Sequence, residues 1–380
     1  MWILHKAVYG LPQAGRAWYQ EVSTTLLDAG YVRSAADPCV FLFHDGHESN
    51  ILAIHVDDFL SAPSSPLATQ HLESTLKSKY KIKAQVNPTA ILKMRISYVP
   101  NGIAIDQEKY LRDVLLNYKM DKLKPASIPL SSSLATQLLS QLPDAPCLSL
   151  KDTQLMQSQA GSLLYAVTGT RPDIAQAVGL VCRHMHSPTS VDLEALKHIF
   201  RYLVSHISAS LFFPYAEVTE PLRLTAFSDV SWNCEVSSSH STGGHLVCMT
   251  TGGVLSPIVW SSHKQALVTR SVTEAEFVEA SATAQELEWL RIFLEGAQIP
   301  FVLPIPLSVD NQSAIALVRN PVHHKATKHI RSMYHYVQQA VSLRSVSVVW
   351  CNTEDNLADP LTKSVPLPVF EHFFSSLFSH

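Results

Sequence analysis

The sequence predicts an α+β / α/β fold, with a mixed first part, a helical middle and a final mixed sheet flanked by helices. Strand and helix patterns alternate up to about residue 126, and apolar residues then recur at spacings of three and four after residue 153. From Pro221 the order reads strand, strand, strand, helix, strand, helix, helix, strand, helix. The predicted organisation is therefore 1–126, a linker at 127–152, a helical part at 153–215 and a final domain at 221–380.

The composition indicates a globular chain. Of 380 residues, 46% are hydrophobic and 16% charged, which gives ample core and argues against general disorder. The formal net charge of −3 gives no overall basic signature, but residues 70–124 hold eleven Lys or Arg against five acids, a local charge of +6. That excess fits either contact with nucleic acid or an ordinary solvated lysine face. No stretch approaches the roughly 20 apolar residues of a membrane helix, and six scattered cysteines are typical of a reduced cytoplasmic or nuclear protein.

The first part contains an acidic hairpin. "RAWYQEVSTTLLDAG" predicts a helix that ends at Gly30, and "PCVFLFHDG" predicts a strand. "ILAIHVDDFLSAP" then predicts two strands with Asp57 and Asp58 at their turn, where adjacent carboxylates repel each other unless a cation binds between them. A helix over "ATQHLESTLKSKY", a hairpin through "NGIAI" and a helix from about Glu108 to Tyr118 follow.

The middle of the chain changes character twice. Residues 127–152 are rich in Ser, Leu and Pro and nearly free of charge, which predicts a linker over a surface. "QAGSLLYAVTGTRPDIAQAVGLVCRHM" and "VDLEALKHIFRYLVSHI" are then predicted as two helices separated by the turn "HSPTS".

Four acids of the final part lie at predicted strand ends or on a helix face. Asp229 lies in the strand "LRLTAFSDVSW", two strands meet at a turn over Thr250–Gly253, Asp310 ends the strand "PLSVD", and Asp359 follows the strand "SVSVVWC". The fourth acid, Glu276, lies in a long helix that runs to Gly296.

Helical spacing distinguishes the two acids at the start of this helix. Ser271 and Glu274 form a capping-box pattern, so Glu274 is interpreted as a cap. Glu276 begins the stripe 276, 280, 283, 287, 290 and 294, which is mostly apolar and faces a core. A buried charge there is costly unless it has a partner.

If the four acids converge, they can hold two divalent cations for phosphodiester chemistry. Mg²⁺ fits such a site because it takes few carboxylates and keeps water and phosphate oxygens as its other ligands, and Mn²⁺ is the natural substitute. The alternative is that these acids are ordinary caps of strands and helices.

A resemblance to a known family covers nearly the whole chain. "KAVYGLPQAGRAWY", "HVDDFLSA", "DQEKYLRDVL", "GSLLYAVTGTRPDI" and "RYL" resemble, in order, the reverse transcriptase part of copia-type retrotransposon Pol polyproteins. "FSDVSW", "STGGHLV", "WSSHKQ", "TEAEF", "VDNQSAIAL", "TKHI" and "NTEDNLADPLTK" resemble their terminal ribonuclease H domain. The resemblance implies a truncated reverse transcriptase palm with a helical thumb and connection, followed by a ribonuclease H-like domain.

The resemblance also implies roles for particular residues. Asp57 and Asp58 become half of a remnant polymerase site, and the ribonuclease H carboxylates, which are both catalytic and metal-binding, are Asp229, Glu276, Asp310 and Asp359. A basic segment is interpreted as contacts to the backbone of a hybrid, with an ordinary basic loop as the alternative: His323, His324, Lys325, Lys328 and His329.

Some positions depart from the family pattern. His55 stands where the family has Tyr, and the third polymerase Asp, expected well before "YGLPQA", has no counterpart in the sequence. We therefore do not expect this chain alone to polymerise DNA. Pro360 follows Asp359, and proline is tolerated in the first turn of a helix but disturbs a later one.

The expected function is Mg²⁺-dependent cleavage of the RNA strand of RNA–DNA hybrids by the final domain. The expected partners are RNA–DNA hybrid and other retrotransposon Pol or Gag products, with no membrane, in the cytoplasm, the nucleus or virus-like particles. A catalytically inactive nucleic-acid-binding remnant is the alternative, and the chain is also expected to be a fragment of a longer polyprotein.

Overall fold

The computed structural model describes residues 10–142, 144–217, 220–319 and 331–379. These residues form two compact units. The first holds the described residues up to Asn87 together with Trp289–Pro300, and the second holds Pro88–Glu288 together with the described residues from Phe301 onward. None of the described helices is long and apolar enough to cross a membrane.

The first unit is built on a four-stranded antiparallel sheet in the order β1-β2-β3-β4. Its elements are α1 (Ala14–Asp28), β1 (Val32–Arg33), β2 (Val40–His44), β3 (Ser49–His55), β4 (Asp58–Pro63) and α2 (Pro66–Lys77). The helix α1 ends as predicted, because Gly30 has a φ of +90° that glycine adopts without strain. The core contains Val22 and Leu26 of α1 together with Phe41, Leu52 and Leu76.

The second unit begins with an antiparallel sheet and a group of helices. The sheet has the order β14-β8-β7-β6-β5. Its strands are β5 (Ala90–Ile91), β6 (Met94–Val99), β7 (Gly102–Asp106), β8 (Ser210–Pro214) and β14 (Phe378–Ser379). The helices between β7 and β8 are α3 (Glu108–Asn117), α4 (Ser132–Leu139), α5 (Leu150–Gly169), α6 (Ala175–Arg183) and α7 (Ser190–Ser205).

The first of the two predicted long helices is in fact broken into α5 and α6. The break falls at Thr170–Ile174, where Pro172 starts a single 3₁₀ turn because its ring removes a backbone donor. Arg171 is fully buried at the break and donates to both oxygens of Asp173, at 2.9 and 2.6 Å, while Tyr202 of α7 donates to the same carboxylate at 2.7 Å. The break is thus held by a buried ion pair that the apolar spacing does not indicate.

The predicted linker also differs from the structure. Residues 127–152 contain the whole of α4 and the start of α5. Ser131 accepts a hydrogen bond from the Leu134 N–H and so caps α4, and Leu134 and Leu138 are buried in the main core of the unit. Leu134 and Leu138 therefore pack in the core with helices α6 and α7 instead of lying in solvent. The proposed division of the chain into palm, connection and final domain stays a prediction.

The remaining elements of the second unit form the predicted mixed sheet, in the order β11-β10-β9-β12-β13. β9 to β11 are antiparallel, and β12 runs parallel to both β9 and β13. The strands are β9 (Arg223–Ser231), β10 (Thr242–Thr251), β11 (Val254–Lys264), β12 (Ile305–Val309) and β13 (Val346–Trp350). The helices are α8 (Val272–Gly296), which belongs to this unit up to Glu288, α9 (Gln312–Arg319), α10 (Arg331–Ser342), α11 (Asp359–Thr362) and α12 (Leu367–Leu377).

The predicted order of elements after Pro221 is confirmed, and so is the α+β class. β10 and β11 meet at Gly252–Gly253, which have φ of +57° and +83° and so form the tight turn expected there. Ser271 accepts a hydrogen bond from the Glu274 N–H at 3.2 Å, while the Glu274 carboxylate accepts from the Arg270 N–H at 2.8 Å. Glu274 therefore lies at the start of α8 as a cap.

The core position of α4 predicts a stability effect. We expect Leu138→Ala to lower the free energy of unfolding by about 2–5 kcal/mol, because the buried side chain leaves a cavity. Leu142→Ala, four residues later, removes a side chain that is 61% exposed and should cost less than about 0.5 kcal/mol. Urea denaturation of both variants measures the free energy of unfolding. Equally small decreases in the two variants would mean that the segment is a surface linker.

Candidate metal centre

Three aspartates converge at one edge of the mixed sheet. One carboxylate oxygen from each of Asp229, Asp310 and Asp359 lies within 4.8 Å of the others. Strand register explains the first two: Ser308 of β12 pairs with Phe227 of the parallel strand β9, and each aspartate follows two residues later on its strand. Since side chains alternate with a period of two, both carboxylates lie on the same face.

The third aspartate is placed by the loop after β13. Asp359 is the first residue of α11, and Pro360 lies in the first turn of that helix, where proline is tolerated. Asn356 ties the loop to β9 through a 2.9 Å hydrogen bond from its side-chain amide to the Ser228 carbonyl. Thr362 of α11 donates to Asp229. Pro360 departs from the family pattern, but it does not move Asp359 away from the sheet.

Glycine allows α11 to lie this close to β10. A Cβ at Gly244 would be 2.8 Å from Thr362 Cγ2 and 2.9 Å from Leu361 Cβ. These distances are too short for any other residue, so the glycine in "TGGHL" is required by the packing of α11.

Glu276 faces the same group of acids. Its side chain is buried, and Oε2 has no hydrogen-bond partner among the described residues. Burial, followed by the negative charges of Asp229 and Asp310, raises the pKa of Glu276 to about 9. In the absence of a cation, the carboxyl group is therefore protonated at neutral pH.

The other carboxyl groups respond to the same crowding. Burial, together with the charge of Asp229, raises the pKa of Asp359 to about 7. The pKa of Asp310 is also raised, mainly by burial, although Thr353 donates to Asp310 Oδ2 at 2.9 Å and opposes the change. A pair of neighbouring acids with raised pKa values is typical of functional sites.

One cationic side chain lies at the site. Lys363 Nζ is 2.7 Å from Asp359 Oδ1 and 3.9 Å from Asp229 Oδ2. Although burial opposes the change, the neighbouring carboxylates raise the pKa of Lys363, so it stays charged. Lys363 offsets only part of the negative charge.

The donor set fits hard divalent cations. All of its donors are carboxylate oxygens, three of them within 4.8 Å of each other, and Glu276 adds a buried oxygen that lacks a hydrogen-bond donor. Mg²⁺ and Mn²⁺ prefer such ligands, and either would relieve the repulsion that raises these pKa values.

The other predicted site residues lie elsewhere. Asp57 and Asp58 lie at the tip of the β3–β4 hairpin of the first unit, where His55 pairs with Asp58. Val56, which precedes them, has a φ of +57°, which is strained for a β-branched residue, and its carbonyl accepts a hydrogen bond from the Trp18 indole. Their polymerase role stays a prediction. The basic segment, His323, His324, Lys325, Lys328 and His329, lies outside the described residues.

The sequence reasoning missed Lys363 and Thr362. Lys363 lies four residues after Asp359, the spacing at which residues of one helix face each other, so the i, i+4 pattern was available. Nothing in the sequence indicates that Thr362 contacts Asp229, because 133 residues separate them.

Comparison with known proteins defines the class first. The family described as reverse transcriptase (RNA-dependent DNA polymerase) matches residues 1–132. Curated relatives then cover nearly the whole chain: the Pol polyprotein from transposon RE1 of Arabidopsis thaliana is 34% identical over 98% of this chain and 25% of its own length. That from transposon TNT 1-94 of Nicotiana tabacum is 34% identical over 97% of this chain and 27% of its own. Over nearly its whole length the chain is thus similar to one part of the copia-type retrotransposon Pol polyproteins.

The chain spans about a quarter of the length of these retrotransposon relatives. An uncharacterized mitochondrial protein of Arabidopsis thaliana, 34% identical, covers 63% of this chain with 93% of its own length. Among solved structures, the N-terminal RNase H domain of a Mycobacterium tuberculosis protein covers 41% of this chain and 98% of its own, with 14% identity and a TM-score of 0.28.

The raised pKa of Glu276 predicts a pH-dependent stability in EDTA. The folded pKa of about 9 lies above the model-compound value of 4.5, so the protonated carboxyl stabilises the fold at low pH and this contribution is lost as the pH rises through 9. Relative to wild type, Glu276→Gln should gain up to about 1.4 kcal/mol per pH unit between those values.

Urea denaturation of the two proteins at pH 5, 7 and 9 measures this difference. Glu371→Gln, which changes an exposed acid on α12, is the matched control and should follow wild type at every pH. If the difference in unfolding free energy between Glu276→Gln and wild type did not change with pH, the raised pKa of Glu276 would be contradicted.

Proposed function

We propose that the second unit is an Mg²⁺-dependent nuclease that cuts the RNA strand of RNA–DNA hybrids. The observation that supports this proposal is the group of three aspartate oxygens within 4.8 Å, together with the buried Glu276. A two-cation site of this kind supports in-line displacement at a phosphodiester. The similarity to these Pol polyproteins makes nucleic acid the expected substrate.

The four acids would have different roles. Asp229 and Asp310 would bind cations directly, and Asp310, at the end of β12, would bridge two of them. Glu276 would hold the second cation from the α8 side, and Asp359 would contact the outer one. Divalent cations bound there would activate a water nucleophile and stabilise the leaving oxygen.

The neighbouring side chains would keep these carboxylates oriented. Thr362 donates to Asp229 and Thr353 donates to Asp310, so each of these two carboxylates would be held in orientation by a threonine hydroxyl. Lys363, beside Asp359, would attract the phosphate backbone and would limit repulsion between acids before cations bind.

Preference for RNA would come from the groove of the hybrid. The 2′-hydroxyl groups line a wide, shallow minor groove, where side chains can contact them. We propose the basic segment that includes Lys325 and Lys328 for contacts to the hybrid backbone.

The nuclease proposal predicts that Asp310→Asn reduces cleavage by at least about 100-fold, because one metal-binding charge is lost while shape is kept. The measurement is cleavage of a labelled RNA–DNA hybrid by the purified chain with Mg²⁺, and with Mn²⁺ in parallel. Asp113→Asn, at an exposed position of α3, is the control and should cut like wild type.

Two other outcomes would reject the proposal. Equal cleavage by wild type and Asp310→Asn would place the activity elsewhere. Binding of hybrid that weakens steeply with salt, with no cleavage by wild type under either metal, would identify an inactive nucleic-acid-binding remnant.

A further inference from the structure

A second group of metal-binding side chains lies in the same unit, apart from the four acids. His245 of β10, His263 of β11 and Glu279 of α8 each offer one ligand atom, and these atoms lie within 4.8 Å of one another. We propose that these three residues bind a single transition-metal ion of the Zn²⁺ class.

The distances between ligand atoms suit a tetrahedral ion. His245 Nδ1 is 2.9 Å from Glu279 Oε1, and His263 Nε2 is 3.3 Å from Glu279 Oε2. In a tetrahedral Zn²⁺ site with bonds of about 2.0–2.1 Å, neighbouring ligand atoms are about 3.3 Å apart. One ligand atom of each residue lies within 4.8 Å of the others, so side-chain adjustment would bring the three atoms to that spacing.

Strand register explains how the histidines meet. Gly243 pairs directly with His263 across the β10–β11 ladder, and His245 follows two residues later on the same face of β10. A Cβ at Gly243 would overlap the Glu279 carboxylate. The glycine therefore leaves the space in which Glu279 reaches both rings from α8.

Hydrogen bonds hold the group together in the buried space between the strands and α8. Glu279 is fully buried, and its two carboxylate oxygens each face one of the histidine rings. Ser261 Oγ lies 3.1 Å from His263 Nδ1, so a second partner orients this ring, and Nε2 is the nitrogen that would bind the metal.

Two further ionisable side chains lie near the group, Arg183 and Glu276. Arg183 of α6, which donates to Thr242 at 2.8 Å, opposes a positive charge at His263, and Glu276 lies three residues before Glu279 on α8. His263 is 38% exposed, so one side of the site is open to an entering ion and to water as a fourth ligand.

The ligand chemistry separates this site from the four acids. Two imidazoles and one carboxylate suit Zn²⁺, Co²⁺ or Ni²⁺, whereas Mg²⁺ prefers oxygen ligands alone. The site would join β10 and β11 to α8, the helix that also presents Glu276. This proposal does not depend on nuclease activity.

The experiment is a Co²⁺ titration of the full chain carrying Asp310→Asn, which weakens the four-acid site. We expect one Co²⁺ per chain with the strong visible absorption of a tetrahedral N/O site, displaced by Zn²⁺. Adding His263→Gln should abolish that absorption, whereas His372→Gln, at an exposed position on α12, should leave it unchanged.

Thermal unfolding gives a second measurement. Zn²⁺ should raise the Tm of the Asp310→Asn chain, and it should not do so once His263→Gln is added. X-ray absorption spectroscopy at the zinc edge identifies the ligands of the bound ion in the Asp310→Asn chain without a further variant. We expect two imidazoles among them.

Absorption and a Tm increase that persist in His263→Gln, or zinc without imidazole ligands, would overturn the proposal. The same holds if the Asp310→Asn chain binds neither Co²⁺ nor Zn²⁺. Because the metal is measured in a chain with the nuclease site disabled, a failure here is distinct from a failure of the proposed cleavage.

Discussion

Repulsion between crowded carboxylates is the constraint on which the candidate centre depends. Four acids reach one edge of the mixed sheet, and burial together with the charges of Asp229 and Asp310 raises the pKa of Glu276 to about 9, so a further negative charge is unfavourable there. Threonine donors and Lys363 offset part of the repulsion. The repulsion that they do not offset destabilises the metal-free fold, and a divalent cation would relieve it on binding.

This crowding requires backbone geometry that brings distant segments close together. The parallel register of β9 and β12 puts Asp229 and Asp310 on one face, and α11 adds Asp359 only because Gly244 lets it approach β10. A buried network at Arg171 fixes the adjoining helices in the same unit. Local turns and glycines thus determine whether the acids converge.

The sequence predicted what depends on local pattern. The order of strands and helices after Pro221, the turn at Gly252–Gly253 and the buried face of α8 follow from periodicity and turn chemistry, which act over a few residues. It also indicated that Glu274 caps the helix whereas Glu276 begins the face turned to the core; both are buried, but Glu274 accepts from the Arg270 N–H and Glu276 faces Asp229 and Asp310.

Features that depend on long-range packing were not predicted. The Ser- and Leu-rich segment was interpreted as a linker because its composition is loop-like, but Leu138 is buried against helices whose positions the sequence does not reveal. Likewise, nothing local links His245 to Glu279, which lies 34 residues away. Convergence of side chains from separate elements needs the fold itself.

Helix α8 shows how strongly such convergence determines chemistry. Glu276 and Glu279 are both buried glutamates and lie three residues apart, yet their pKa values are about 9 and about 2. Acids face the first and imidazoles face the second, and burial alone would raise both. The same residue type on one helix is therefore a neutral carboxylic acid among acids and, one turn later, a carboxylate hydrogen-bonded to two imidazole rings.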